Sequence, residues 1–103
     1  MAYNATYMKG TKIFHQKKRY PDGSIIEMKI WQVEPDSNRP QGLKYSLAYI
    51  EKGKRVIGYD NAERKGDHRH YGQKVAGYEF NNVDKLMDDF LKDVSNWRRK
   101  HED

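Results

Sequence analysis

An α+β fold is predicted for this 103-residue chain. The expected architecture is an antiparallel β-sheet of four to five strands in meander order, with one C-terminal amphipathic helix packed on one face. Three observations predict it. Apolar residues alternate with polar ones over several short runs, the period of a strand. Compact turn sequences separate those runs. Near residue 82 the apolar period changes to three and four, that of a helix. No repeat, linker or low-complexity segment interrupts the pattern, so residues 1–103 are expected to form a single domain with a modest core.

The first strand is placed at about residues 11–20, with Ile13, Phe14 and Tyr20 as its apolar content. Tyr20-Pro21-Asp22-Gly23 is a turn: proline presets φ, aspartate bonds its own backbone, and glycine takes positive φ. In the second strand, about 24–33, Ile26, Met28 and Ile30 alternate with Ile25, Glu27, Lys29 and Trp31, which makes 11–33 a hairpin. Trp31 is expected to pack in the sheet. Residues 34–42 hold two prolines, Asp36, Ser37 and Asn38, and read as a loop. Leu43, Tyr45, Leu47 and Tyr49 mark a third strand at about 43–51. Lys52-Gly53-Lys54 reverses the chain into a fourth at about 55–60. A fifth, short strand is expected at about 75–80. Val83, Leu86, Met87, Phe90, Leu91, Val94 and Trp97 then form the apolar stripe of a helix at about 82–100. Asn81 or Asn82 caps it, Asp84 lies in its first turn, and Arg98, Arg99 and Lys100 suit the negative end of its dipole as a solvated tail.

Twenty Lys plus Arg against fifteen Asp plus Glu leave a net charge of +5. A basic balance favours polyanions through counterion release, which puts RNA, DNA and acidic proteins among the partners to consider. The absence of cysteine excludes disulfides and thiolate metal sites and fits a reducing cytoplasm. No signal peptide is visible at the N-terminus, and no apolar run reaches the roughly 18 residues of a membrane span. A cytoplasmic location without membrane contact is expected.

Residues 59–71, Tyr-Asp-Asn-Ala-Glu-Arg-Lys-Gly-Asp-His-Arg-His-Tyr, concentrate ionisable and amide groups directly after an apolar strand. A core does not require that chemistry. On extended backbone His68 and His70 point to one side, with Arg69 turned away. Such a pair suits metal-independent RNA cleavage, in which one imidazole takes the 2′-hydroxyl proton and another acid protonates the leaving 5′-oxygen. Histidine titrates near working pH. Arg64, Lys65 and Arg69 supply charge for the phosphate, Asn61 and Tyr71 contact the nucleotide, and Asp60 and Asp67 orient the imidazoles. A divalent-metal site on His68 and His70 with Asp60 or Asp67 is a second option, and a solvated, charge-rich docking loop a third. His15, beside Lys17 and Lys18, is a candidate third histidine. No phosphate-binding glycine loop, nucleophile elbow or H-E-x-x-H is present.

Arg55-Val56-Ile57-Gly58-Tyr59-Asp60-Asn61, continued through Gly66-Asp67-His68-Arg69-His70-Tyr71, resembles the central signature of the TumE-type toxins of bacterial and archaeal toxin–antitoxin pairs. Tyr20 to Trp31 resembles that family's N-terminal hairpin, and Tyr78 to Val94 its closing segment. After His70 the chain reads Tyr-Gly-Gln-Lys-Val-Ala-Gly-Tyr, where the family tends to carry acidic residues and a proline. The resemblance implies a small α+β toxin partnered by a helix-turn-helix antitoxin and acting on RNA. It assigns no catalytic residue, so Tyr59, Asp60, Asn61, Asp67, His68 and His70 carry over as motif positions only.

The combined expectation is a toxin acting as a metal-independent endoribonuclease without a cofactor. The alternatives are a non-catalytic RNA- or protein-binding module and a divalent-metal enzyme at the same histidines. Oligomeric state is left open, a homodimer included.

Overall fold

The computed structural model describes residues 10–61 and 66–101. Strands β1 (Thr11–Arg19), β2 (Ile25–Gln32), β3 (Leu43–Glu51), β4 (Lys54–Asp60), β5 (His68–Tyr71) and β6 (Lys74–Gly77) precede helix α1 (Val83–Lys100). Each strand pairs antiparallel with the next, so the sheet order is the chain order. The α+β meander is as expected; among the described residues the strand count is corrected to six. Residues 68–71, expected within the polar segment between strands, form β5, and the last strand ends at Gly77 rather than near residue 80. β5 escapes a hydrophobic reading because both of its faces carry polar groups, imidazoles on one and a guanidinium on the other.

The turns follow from local chemistry. Gly23 donates its backbone N–H to the Tyr20 carbonyl at 2.9 Å with φ +92°, and the Asp22 carboxylate accepts from the Ser24 N–H at 2.9 Å. Lys52 and Gly53, both at positive φ (+50° and +77°), make the two-residue reversal whose twist matches the flanking strands.

Directly paired residues share a face of the sheet. One face carries Ile26, Met28, Ile30, Tyr45, Leu47, Tyr49, Ile57 and Tyr59, all buried beneath Leu86, Phe90 and Val94 of α1. Phe90, fully enclosed, contributes about 2–3 kcal/mol by burial. The Asn82 side chain caps α1 by accepting from the Lys85 N–H at 2.8 Å. The basic end of the helix is not simply solvated. Arg98 donates to Ser24 Oγ (2.9 Å) and Tyr49 Oη (2.8 Å) and lies 3.8 Å above the Tyr20 ring, tying α1 to the β1–β2 turn. Among the described residues no helix is long and apolar enough to cross a membrane.

Among the described residues the opposite face has no helix on it. Reading across β2 to β5, it presents Lys29, Ser46, Asp60 and His68 in one row and Glu27, Ala48, Gly58 and His70 in the next. Trp31 is half-buried on this face, with the Lys44 ammonium 5.1 Å from its ring centre.

Candidate functional site

β4 and β5 place the histidines. Asp60 stands opposite His68 and Gly58 opposite His70, so both imidazoles and the Asp60 carboxylate project from the open face. The two rings meet edge to face, with centroids 5.1 Å apart. His68 Nε2 lies 3.1 Å from Asp60 Oδ1, and His70 Nε2 lies 3.9 Å from Oδ2. One ligating atom from each of the three falls within 4.8 Å of the others, a grouping that suits a divalent cation.

His68 is held from both ends. Its Nδ1 is 3.2 Å from the Gly66 carbonyl, while Nε2 faces the Asp60 carboxylate. Both partners only accept, so the ring bonds to both when each nitrogen carries a proton. The alternative is a cation in place of the Nε2 proton, with Nδ1–H still directed at the carbonyl. The same frame therefore serves an acid or a metal ligand.

Arg55 completes the cluster, with Nη1 3.5 Å from Asp60 Oδ2. It reaches there across Gly58. A Cβ built on Gly58 would stand 2.9 Å from Arg55 Cδ and 3.0 Å from Nε. Glycine within β4 thus leaves room for a guanidinium to lie over the sheet. Arg55, Asp60, Asp67, His68, His70 and Gly77 line one open cavity. The sequence pattern did not single out Arg55, although a glycine inside a strand is a sign of close approach by another group.

The remaining candidate residues sit elsewhere. Arg69 is on the helix-covered face, where Nε and Nη2 donate to Asp93 Oδ2 (2.7 Å) and Oδ1 (2.9 Å). Strand alternation sends it there, so the structure does not bring it to the imidazoles for phosphate binding. The Asp93 hydrogen bonds hold its guanidinium above the ordinary arginine range. Tyr71 packs on that same face against Trp97, 5.5 Å between centroids. Asn61 is fully buried: its Oδ1 accepts from the Tyr45 N–H and its Nδ2 donates to the Leu43 carbonyl, both at 2.9 Å. It fastens the end of β4 to β3 and presents no amide to a nucleotide. Asp67 accepts from Tyr45 Oη at 2.7 Å, so its carboxylate borders the cavity while bonded to a phenol rather than to an imidazole. Arg64 and Lys65 lie outside the described residues. His15 stands on β1, four strands from His68, bonded to Glu27 at 2.9 Å.

Three tyrosine–aspartate bonds among the described residues have no signal in the local sequence. Besides Tyr45–Asp67, Tyr59 donates to Asp93 at 2.6 Å and Tyr78 to Asp89 at 2.7 Å. Burial pushes all three phenols above the ordinary tyrosine range, and the carboxylates push them further. In the sequence Asp93 is one acid beside an apolar stripe, with nothing local to connect it with Tyr59 or Arg69.

No curated protein and no solved structure matches the chain. The family model described as Toxin TumE matches residues 3–98, which spans the sheet, the Asp60–His68–His70 cluster and nearly all of α1. The chain belongs to the TumE toxin family.

Proposed function

We propose that this toxin cleaves RNA at the Asp60–His68–His70 cluster without a metal ion. The observation that carries the reading is the convergence of two imidazoles, one carboxylate and the Arg55 guanidinium on a sheet face that no described helix covers. A phosphodiester there meets the Arg55 charge, with the histidines beside its reacting oxygens. His70 takes the proton of the 2′-hydroxyl as that oxygen attacks phosphorus. The bond from phosphorus to the 5′-oxygen breaks, and His68, bearing two protons, gives its Nε2 proton to the leaving oxygen. The products are a 2′,3′-cyclic phosphate and a 5′-hydroxyl. The Gly66 carbonyl orients His68 through Nδ1, the Nε2 proton passes from its bond with Asp60 to the leaving oxygen, and Arg55 stabilises the crowded phosphorane. Arg64 and Lys65 are further candidates for phosphate binding. The work of a toxin of this kind is cytoplasmic, and a helix-turn-helix antitoxin is its proposed cognate partner.

A second reading has its own observation. The three ligating atoms lie within 4.8 Å and the His68 Nδ1 is directed at a carbonyl, which suits a divalent cation that activates water. Against it, Arg55 already places positive charge on the same carboxylate.

Purified protein incubated with total RNA in EDTA tests both. Cleavage that survives the chelator and disappears in the His68→Ala, His70→Ala double variant supports the acid–base reading. Loss in EDTA with recovery on zinc or manganese selects the metal reading. No cleavage under any condition contradicts both.

A further inference from the structure

The helix-free face extends well beyond the histidine cluster, and its chemistry changes in order across the sheet. On β5 and β4 stand His68, His70, Asp60 and Arg55. The middle of the face is floored by the small side chains of Ser46 and Ala48 on β3, beside Gly58 on β4, over which Arg55 lies. Beyond that floor, β1 to β3 raise a basic border of Lys12, Lys17, Lys29 and Lys44 with Trp31 among them. By register, six lysines and arginines share the face with two carboxylates, Glu27 and Asp60. Both carboxylates are engaged, Glu27 by His15 at 2.9 Å and Asp60 by the cluster. The outer surface of the first half of α1, where the control residue lies, has no such bias, because Asp84, Asp88 and Asp89 accompany Lys85 and Lys92 there.

We propose that this face is the track for single-stranded RNA, with Trp31 stacking a base and Lys29 and Lys44 binding phosphates upstream or downstream of the bond placed at His68 and His70. The inference rests on the RNA-cleaving reading above and extends it to the substrate's path and strandedness. Adjacent strands are about 4.8 Å apart, so Lys29 on β2 lies about 14 Å from His68 on β5. That separation holds a short stretch of extended single strand between anchor and cut. The small floor lets a backbone lie low between them. An open sheet face bearing one half-buried indole gives a splayed base its stacking partner, whereas the base edges of a duplex are inaccessible to it.

The test is fluorescence anisotropy with a labelled single-stranded RNA of about twelve nucleotides, using His68→Ala, His70→Ala protein so that the probe stays intact. Trp31→Ala in that background is expected to weaken binding about tenfold, with Trp31→Phe restoring much of the affinity. Lys29→Glu with Lys44→Glu is expected to weaken it at least as much. The slope of log affinity against log salt should also become shallower, by about 0.7 for each phosphate that the protein no longer neutralises. Lys85→Glu on the helix side serves as control and is expected to bind unchanged. Unaltered binding in the open-face variants overturns the track, as does an equal weakening in the Lys85→Glu control or preference for a duplex. Cleavage by otherwise wild-type protein is scored separately, so the track fails alone if cutting proceeds while Trp31 and the lysines are dispensable.

Discussion

Arg69 sets two guanidinium nitrogens on the Asp93 carboxylate, Nε 2.7 Å from Oδ2 and Nη2 2.9 Å from Oδ1. The pair joins β5 to α1 across 24 residues, and the Tyr59 hydroxyl shares the same Oδ2 at 2.6 Å. Fork-to-carboxylate pairs of this kind are stronger than neutral hydrogen bonds. Arg69 therefore holds the back of the strand whose front carries the histidines.

Asp93→Ala is expected to destabilise the fold by about 2 kcal/mol. It strips the buried Tyr59 hydroxyl of its acceptor and leaves a half-covered guanidinium unpaired. Urea denaturation followed by circular dichroism measures the effect. Arg69→Lys recovers only part of the stability, since an ammonium cannot bond both oxygens in the same plane.

Gly58→Ala tests whether the Arg55 approach matters for chemistry. The new methyl group meets Arg55 Cδ and Nε, so the flexible side chain must move off the sheet, while the fold loses less than about 1 kcal/mol. Arg55→Ala is expected to slow RNA cleavage about a hundredfold. Gly58→Ala should slow it in the same direction and by less. A Gly58→Ala protein with full activity would detach Arg55 from the site.

Alkaline pH is expected to unfold the protein through its tyrosine–aspartate bonds. Burial, then hydrogen bonding to a carboxylate, raises the Tyr45, Tyr59 and Tyr78 phenols above their unfolded values. For a raised group, the stabilisation is complete below the unfolded value, near pH 10, and is lost as pH rises toward the folded one. Phenolate absorbance and circular dichroism should therefore change together above about pH 10. Ionisation of these tyrosines in an intact fold would contradict the assignment.

The fold was legible where one physical signal dominated. Period-two alternation marked β2 and β3, Pro21-Asp22-Gly23 and Lys52-Gly53 marked their turns, and the Val83–Val94 stripe marked α1. β5 was not, since His68 and His70 on one face and Arg69 on the other leave no apolar contrast to reveal a strand. The pairing of His68 with His70 followed from their spacing, once the segment was taken as extended. Arg55 became visible only through the β3–β4 register and the space left by Gly58. Asn61 read as a nucleotide-binding amide because its partners, Tyr45 and Leu43, lie on a strand distant in sequence. The fate of Arg69 hung similarly on Asp93, a residue that local sequence gives no reason to connect with it.

The chemical identity of the cut ends tests the central claim most directly. RNA cleaved by the purified toxin in EDTA is predicted to carry 2′,3′-cyclic phosphate and 5′-hydroxyl ends, and a 2′-deoxy nucleotide at the cleaved position should block the cut. Products bearing 5′-phosphates and 3′-hydroxyls, formed equally well from the 2′-deoxy substrate, would contradict acid–base cleavage by His68 and His70.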